Sequence, residues 1–205
     1  MKNSTIQNLF PTPIYKNNIK RIFNKKELDF IKNHKNHCVK NLGNINTIDN
    51  YILNKPELKN IKKFIEQCCD DYLKKIISPK NNIKLYITQS WLNYTEKDQY
   101  HHSHEHSNSV VSGVFYFDCD KKNDSIKFTN PKGYEQIKPE TKDFNIWNSE
   151  TWWFSVENGE LIMFPSSTIH QVETKKGTNT RISLAFNTFY KGTIGSNLDL
   201  TELIL

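Results

Sequence analysis

Four of the chain's seven histidines fall within six residues, in the run His101-His102-Ser103-His104-Glu105-His106. Another histidine, His170, comes 66 residues after His104, behind Phe164-Pro165-Ser166-Ser167-Thr168-Ile169. Arg181-Ile182-Ser183 starts eleven residues beyond it. On an extended strand, residues i and i+2 face the same way. Their Cβ atoms then stand roughly 6–7 Å apart, at a rise of about 3.3 Å per residue. Imidazoles at that spacing can converge on one metal ion. A distal histidine can complete a facial set and leave coordination positions open. An arginine close by could hold a carboxylate that fills those positions, so the combination points to oxygen chemistry at iron. Each part alone says less: a histidine-rich run is often a polar loop, and a single histidine is more often a hydrogen-bonded residue than a ligand.

The arginine carries weight because arginine is scarce. Of 28 basic residues only Arg21 and Arg181 are arginine; the rest are lysine. Guanidinium is a rigid planar fork that engages a carboxylate through two parallel hydrogen bonds, which lysine cannot do. Ser183, two residues on, shares its face and can add a hydroxyl. The plainer alternative for Arg181 is a surface ion pair with a glutamate. The net charge of +6 comes from lysines scattered among asparagines, as in Asn24-Lys25-Lys26 and Lys121-Lys122-Asn123. No compact basic stripe appears and phosphate-reading arginine is nearly missing, so nucleic acid is not the expected partner.

These residues need strands to hold them. From Ile83 onward the pattern has period two, with candidate strands at 84–94, 100–106, 110–117, 125–129, 144–147, 151–156, 160–164, 169–173 and 181–190. Short polar turns separate them. Before them, 9–19 reads as extended, Asn24 can cap a helix from Lys25 to about His37, and a second helix begins near Pro56. Its apolar face runs through Leu58, Ile61, Phe64, Ile65, Cys68, Tyr72, Leu73 and Ile76, and Ser78-Pro79 ends it. The expected fold is mostly β with flanking helices, a double-sheet jelly roll. One domain spans 1–205, with 1–80 packed on a jelly-roll core at 83–190 and a peripheral tail after Gly192.

Composition narrows the class. Hydrophobic content of 36% with 12% aromatics is that of a folded chain. No apolar run approaches the about 18 residues of a membrane span, and Met1–Gln7 lacks the apolar stretch of a leader. Cys38, Cys68, Cys69 and Cys119 form no CxxC pair and no dense framework, so they read as reduced thiols in a cytoplasmic protein.

The ordered motifs resemble a known family. Leu9-Phe10-Pro11-Thr12-Pro13-Ile14-Tyr15, Trp91-Leu92-Asn93, and His104-Glu105-His106-Ser107-Asn108-Ser109 with Ser112-Gly113-Val114-Phe115-Tyr116 come first. Phe164-Pro165-Ser166, His170-Gln171-Val172 and Arg181-Ile182-Ser183-Leu184-Ala185-Phe186-Asn187 follow. In type and order these resemble a group of iron(II)/2-oxoglutarate-dependent oxygenases found in marine bacteria and their phages. The resemblance implies a double-stranded β-helix that binds iron(II) and 2-oxoglutarate, and an oxygenase that hydroxylates a small-molecule or peptidyl substrate. It implies metal ligands at His104, His106 and His170, with Arg181 and Ser183 on the distal carboxylate of 2-oxoglutarate. Asn93 and Tyr116 are weaker cosubstrate candidates, for which core packing is an equal reading.

The sequence departs from the wider superfamily, which places a carboxylate where His106 stands. Two other ligand sets stay open: His102 with His104, or a β-bulge that turns Glu105 inward. On a regular strand His102, His104 and His106 share one face, and His101 and Glu105 the other. Two other functions also fit a three-histidine jelly roll. One is a cupin-type dioxygenase that needs no cosubstrate, with Arg181 on the substrate's own carboxylate. The other is a non-catalytic binding module. Trp147, Trp152, Trp153 and Phe154 form a late aromatic segment that reads as core packing; the alternative by alternation is Trp152 in the core and Trp153 at a cleft mouth. The oligomeric state is not legible.

Overall fold

The computed structural model describes residues 4–130 and 139–205; Met1–Asn3, used above in reading the chain's start, lie outside them. In chain order, strand β1 (Tyr15–Asn18) precedes helix α1 (Lys25–Asn33), β2 (Cys38–Lys40), β3 (Ile45–Thr47) and helix α2 (Lys59–Tyr72). There follow β4 (Lys84–Thr95), β5 (His101–His104), β6 (Val111–Asp118), β7 (Ser125–Thr129), β8 (Thr151–Ser155), β9 (Glu160–Pro165), β10 (His170–Val172) and β11 (Arg181–Lys191). A small hairpin of β12 (Thr193–Ile194) and β13 (Leu203–Ile204) closes the chain.

The larger sheet has seven strands in the order β1-β9-β6-β11-β4-β3-β2, and the smaller has four in the order β5-β10-β7-β8. All ladders are antiparallel. Period-two alternation assigns the two faces of the larger sheet to two cores. Leu92, Tyr94, Phe115, Phe117, Leu161, Met163, Ile182, Leu184 and Phe186 pack against Ile61, Ile65 and Cys69 of α2. On the opposite face, Tyr116, Ile162 and Phe164 meet Ile126 and Phe128 of the smaller sheet. The same alternation turns Trp91, Asn93, Arg181, Ser183 and Ala185 into the space between the sheets, where they line a cavity. Gly113 lets β6 and β11 approach: a Cβ there would lie 2.4 Å from Cζ of Phe186.

Both helices begin as the sequence suggests. Asn24 accepts a hydrogen bond from the Glu27 amide (3.0 Å) while the Glu27 carboxylate accepts from the Asn24 amide (2.9 Å), a reciprocal cap. The other arginine, Arg21, grips the buried Glu27 through two hydrogen bonds of 2.8 and 2.5 Å, so its role is structural. α1 is shorter than expected, because residues 34–37 tighten into a 3-10 turn. Around α2, Pro56–Leu58 forms a separate 3-10 turn, and residues 73–77 widen into a π turn that ends at left-handed Ser78.

The expected strand at 144–147 does not form. The Asn145 side chain accepts hydrogen bonds from the amides of Trp147 (2.8 Å) and Asn148 (3.2 Å), and this local turn takes the groups a ladder would use. Phe144 and Trp147 are exposed. Trp152 is only half-buried rather than a core residue, and Trp153 is exposed. Among the described residues no helix is long and apolar enough to cross a membrane, and the four cysteines are free thiols.

Candidate metal and cosubstrate site

Strand β5 is where sequence and structure part. His104 pairs with His170 and His101 with Val172, so three steps along β5 match two along β10. That extra residue is a bulge, and it shifts the facing of the strand. His101, expected on the outer face, instead lines the cavity with His104, His106 and His170, and its ring stacks on His104 at 4.6 Å and 18°. Glu105 stays exposed, so the bulge does not bring in a carboxylate.

His104, His106 and His170 meet as the spacing suggests. Their ring centres lie 5.0, 4.3 and 5.2 Å apart, and one nitrogen from each falls within 4.8 Å of the others. Two are oriented by backbone carbonyls. Nδ1 of His104 lies 2.8 Å from the His102 oxygen, and Nδ1 of His170 lies 3.0 Å from the Thr168 oxygen. A carbonyl only accepts, so Nδ1 carries the proton and Nε2 keeps its lone pair, the form a metal requires. Burial holds the His106 imidazole down at about 4 and the His170 imidazole at about 3, with neighbouring histidines adding to both shifts. All are neutral at pH 7. Three further residues fix the loops around them. Ser166 hydrogen-bonds to Ser112 (2.8 Å) and Ser109 (2.7 Å), and its carbonyl accepts from the His106 amide (3.0 Å). The serines of the sequence motif are therefore scaffold for His106.

Arg181 lines the same cavity. It is 2% exposed, and Nη2 donates to Thr95 Oγ1 at 3.2 Å. Among the described residues its Nε has no partner. Asp124, whose charge it feels, is engaged by the buried Lys175 at 3.3 Å. Burial lowers the Arg181 pKa, although guanidinium stays charged. Ser183 and Tyr116 are buried beside it; burial raises the Tyr116 phenol, which stays neutral. The Asn93 Oδ1 is also buried without a partner among the described residues, and a flipped amide would present its NH2 instead. An unpaired buried cation is costly, and its natural complement is a carboxylate delivered into the cavity. The cavity thus has a neutral nitrogen-donor set and a buried guanidinium. The residue types fit iron(II) with a dicarboxylate. Trp91, Val114, Ile126 and Val172 supply its apolar walls.

Two opposed antiparallel sheets around such a cavity define a double-stranded β-helix. Residues 89–187, which include every cavity residue named above, match the family described as "Putative 2OG-Fe(II) oxygenase". That match spans 99 of the 205 residues, the part of the chain that carries the cavity, and over it the chain is similar to iron(II)/2-oxoglutarate oxygenases. No curated protein sequence matches it. Solved structures agree on the fold. A 2OG-Fe(II) oxygenase family oxidoreductase from Burkholderia pseudomallei matches with a TM-score of 0.51 at 14% identity, over 85% of this chain and 83% of that one. HygX from Streptomyces hygroscopicus, solved with nickel, 2-oxoglutarate and hygromycin B, gives 0.56 at 10% identity, over 86% and 82%. A Trichoplax adhaerens prolyl hydroxylase in complex with a hypoxia inducible factor peptide fragment gives 0.56 at 10%, over 86% and 83%.

Proposed function

We propose that this chain hydroxylates a small-molecule or peptidyl substrate, with His104, His106 and His170 holding one iron(II) and Arg181 and Ser183 holding the distal carboxylate of 2-oxoglutarate. One observation carries the reading: a buried arginine with an unpartnered Nε lies in the same cavity as three converging neutral imidazoles. Bound there, iron(II) with 2-oxoglutarate supplies the oxidative chemistry in which O2 and 2-oxoglutarate give succinate, CO2 and an oxidised substrate. Everything else is the protein's part. Carbonyl-fixed Nδ1 protons aim the His104 and His170 lone pairs at one point. Arg181 and Ser183 set the cosubstrate's reach from that point, and Asn93 and Tyr116 narrow its path. Trp91, Val114 and Ile126 keep water out.

Three imidazoles without a carboxylate leave the site more positive than a two-histidine, one-carboxylate set, which favours a dianionic cosubstrate. HygX was solved with hygromycin B and the Trichoplax hydroxylase with a peptide fragment, which supports leaving the substrate class at small molecule or peptide. We read the chain as a single cytoplasmic domain and do not assign it nucleic acid.

The test is turnover. Purified protein with iron(II), ascorbate and oxygen should convert 2-oxoglutarate slowly to succinate. His104→Ala, His106→Ala and His170→Ala should each lose iron and this activity while keeping their circular dichroism. Full iron occupancy in all three variants would remove the ligand assignment. Iron binding with no dependence on 2-oxoglutarate would instead favour a cosubstrate-free dioxygenase.

A further inference from the structure

The bulge in β5 creates a second histidine group. One nitrogen each from His101, His102 and His104 lies within 4.8 Å of the others. Their ring centres are 5.2, 4.6 and 4.9 Å apart, close to the spacing of the first group. With metal–nitrogen bonds of about 2.0–2.1 Å, three imidazoles around one tetrahedral ion put their ring centres about 5 Å apart. Residues i, i+1 and i+3 could not converge in this way on a regular strand, where neighbours face opposite sides. The extra residue between His101 and His104 makes it possible. His101 and His102 also line an open cleft on the outer side, with Tyr100, Gln171 and Glu173, so an ion has a route in from solvent.

We propose that His101, His102 and His104 form a second, zinc-binding site that competes with the first for His104. Nδ1 of His104 donates to the His102 carbonyl, which leaves one lone pair, on Nε2. That nitrogen can serve one metal at a time. An all-imidazole set suits zinc, and zinc stands above iron(II) in intrinsic affinity for nitrogen donors. Zinc in the outer set therefore takes a ligand from the inner one and switches the oxygenase off without entering its cavity. The switching depends on the iron assignment above; zinc binding by the outer three does not.

The experiment uses zinc alone and reads binding, not turnover. Metal-free full-length protein with His170→Ala has a broken inner set and should still bind one zinc, measured by calorimetric competition against a chelator. Adding His102→Ala, which keeps the carbonyl that orients His104, should weaken that binding. Loss of a mere outer-shell partner already costs about 10–100-fold in metal affinity, so loss of a direct ligand should cost more than about 100-fold. Should His170→Ala lose its circular dichroism signal, the same pair is made on His106→Ala. Equal zinc affinity with and without His102 would overturn the second site. Wild-type protein should take one zinc per chain, and two at saturation would overturn the competition. Failure of succinate formation would bear on the oxygenase reading alone.

Discussion

In the proposed reading, selectivity for the cosubstrate turns on Arg181. Its guanidinium is fixed by Thr95 at one nitrogen and unpartnered at another, so the free edge of the fork is held ready for a carboxylate. Arg181→Lys keeps the charge and loses an arm of the fork. Charged hydrogen bonds contribute about 1.5–3 kcal/mol, so 2-oxoglutarate binding should weaken by about 10- to 150-fold. Calorimetry of the variant checks this, and unchanged affinity would take Arg181 out of the site. The histidines make a different prediction. Burial depresses His101 to about 2, His170 to about 3 and His106 to about 4, against about 6.5 in an unfolded chain. Between those values and 6.5 the unfolded state binds more protons, so stability is complete above 6.5 and lost as pH falls. The melting temperature of the metal-free protein should therefore drop from pH 6.5 toward 4. His106→Ala should flatten that slope.

The strands explain why so much of the site could be read in advance. Alternation in β4, β9 and β11 sends Leu92, Leu161 and Leu184 to the helices and Trp91, Ile162 and Ser183 to the gap between sheets. Gly113 is the tightest point of that packing, and a Cβ there would press on Phe186 and Met163, neither of which can leave the core. Gly113→Ala should cost about 1–3 kcal/mol, read as a shift in urea midpoint without a change in slope. That Arg181, Ser183 and the three histidines share one cavity was legible, because type and order suffice to group them. The inward turn of His101 was not, because it arises from a register shift against β10, a partner distant in sequence. Residues 144–147 were misread for the converse reason: their apolar alternation was visible, but the Asn145 side chain decides the backbone locally. The serines near His106 looked like motif letters, and only the fold shows them bonded to one another.

At the scale of the whole molecule, the helices cover one face of the larger sheet and the smaller sheet covers the other, and the cavity shares the space between the sheets with the smaller core. The scattered lysines leave a positive surface, and their ion pairs, such as Lys121–Glu157 and Lys127–Glu173, are peripheral contacts with little to add to stability. The uncompensated charge at the centre matters more. Among the described residues Arg181 has no ion-pair partner of its own, since Asp124 is engaged by Lys175, and a carboxylate in the cavity should therefore stabilise the chain. A ligand at 100 times its dissociation constant adds about 2.7 kcal/mol to the folded state. Digestion by a protease that cuts only opened chains should slow accordingly when 2-oxoglutarate is added to the iron-loaded protein. An identical rate with and without it would mean that Arg181 is content unpaired. A slower rate would mean that occupancy of the cavity by the cosubstrate sets how long each copy resists digestion.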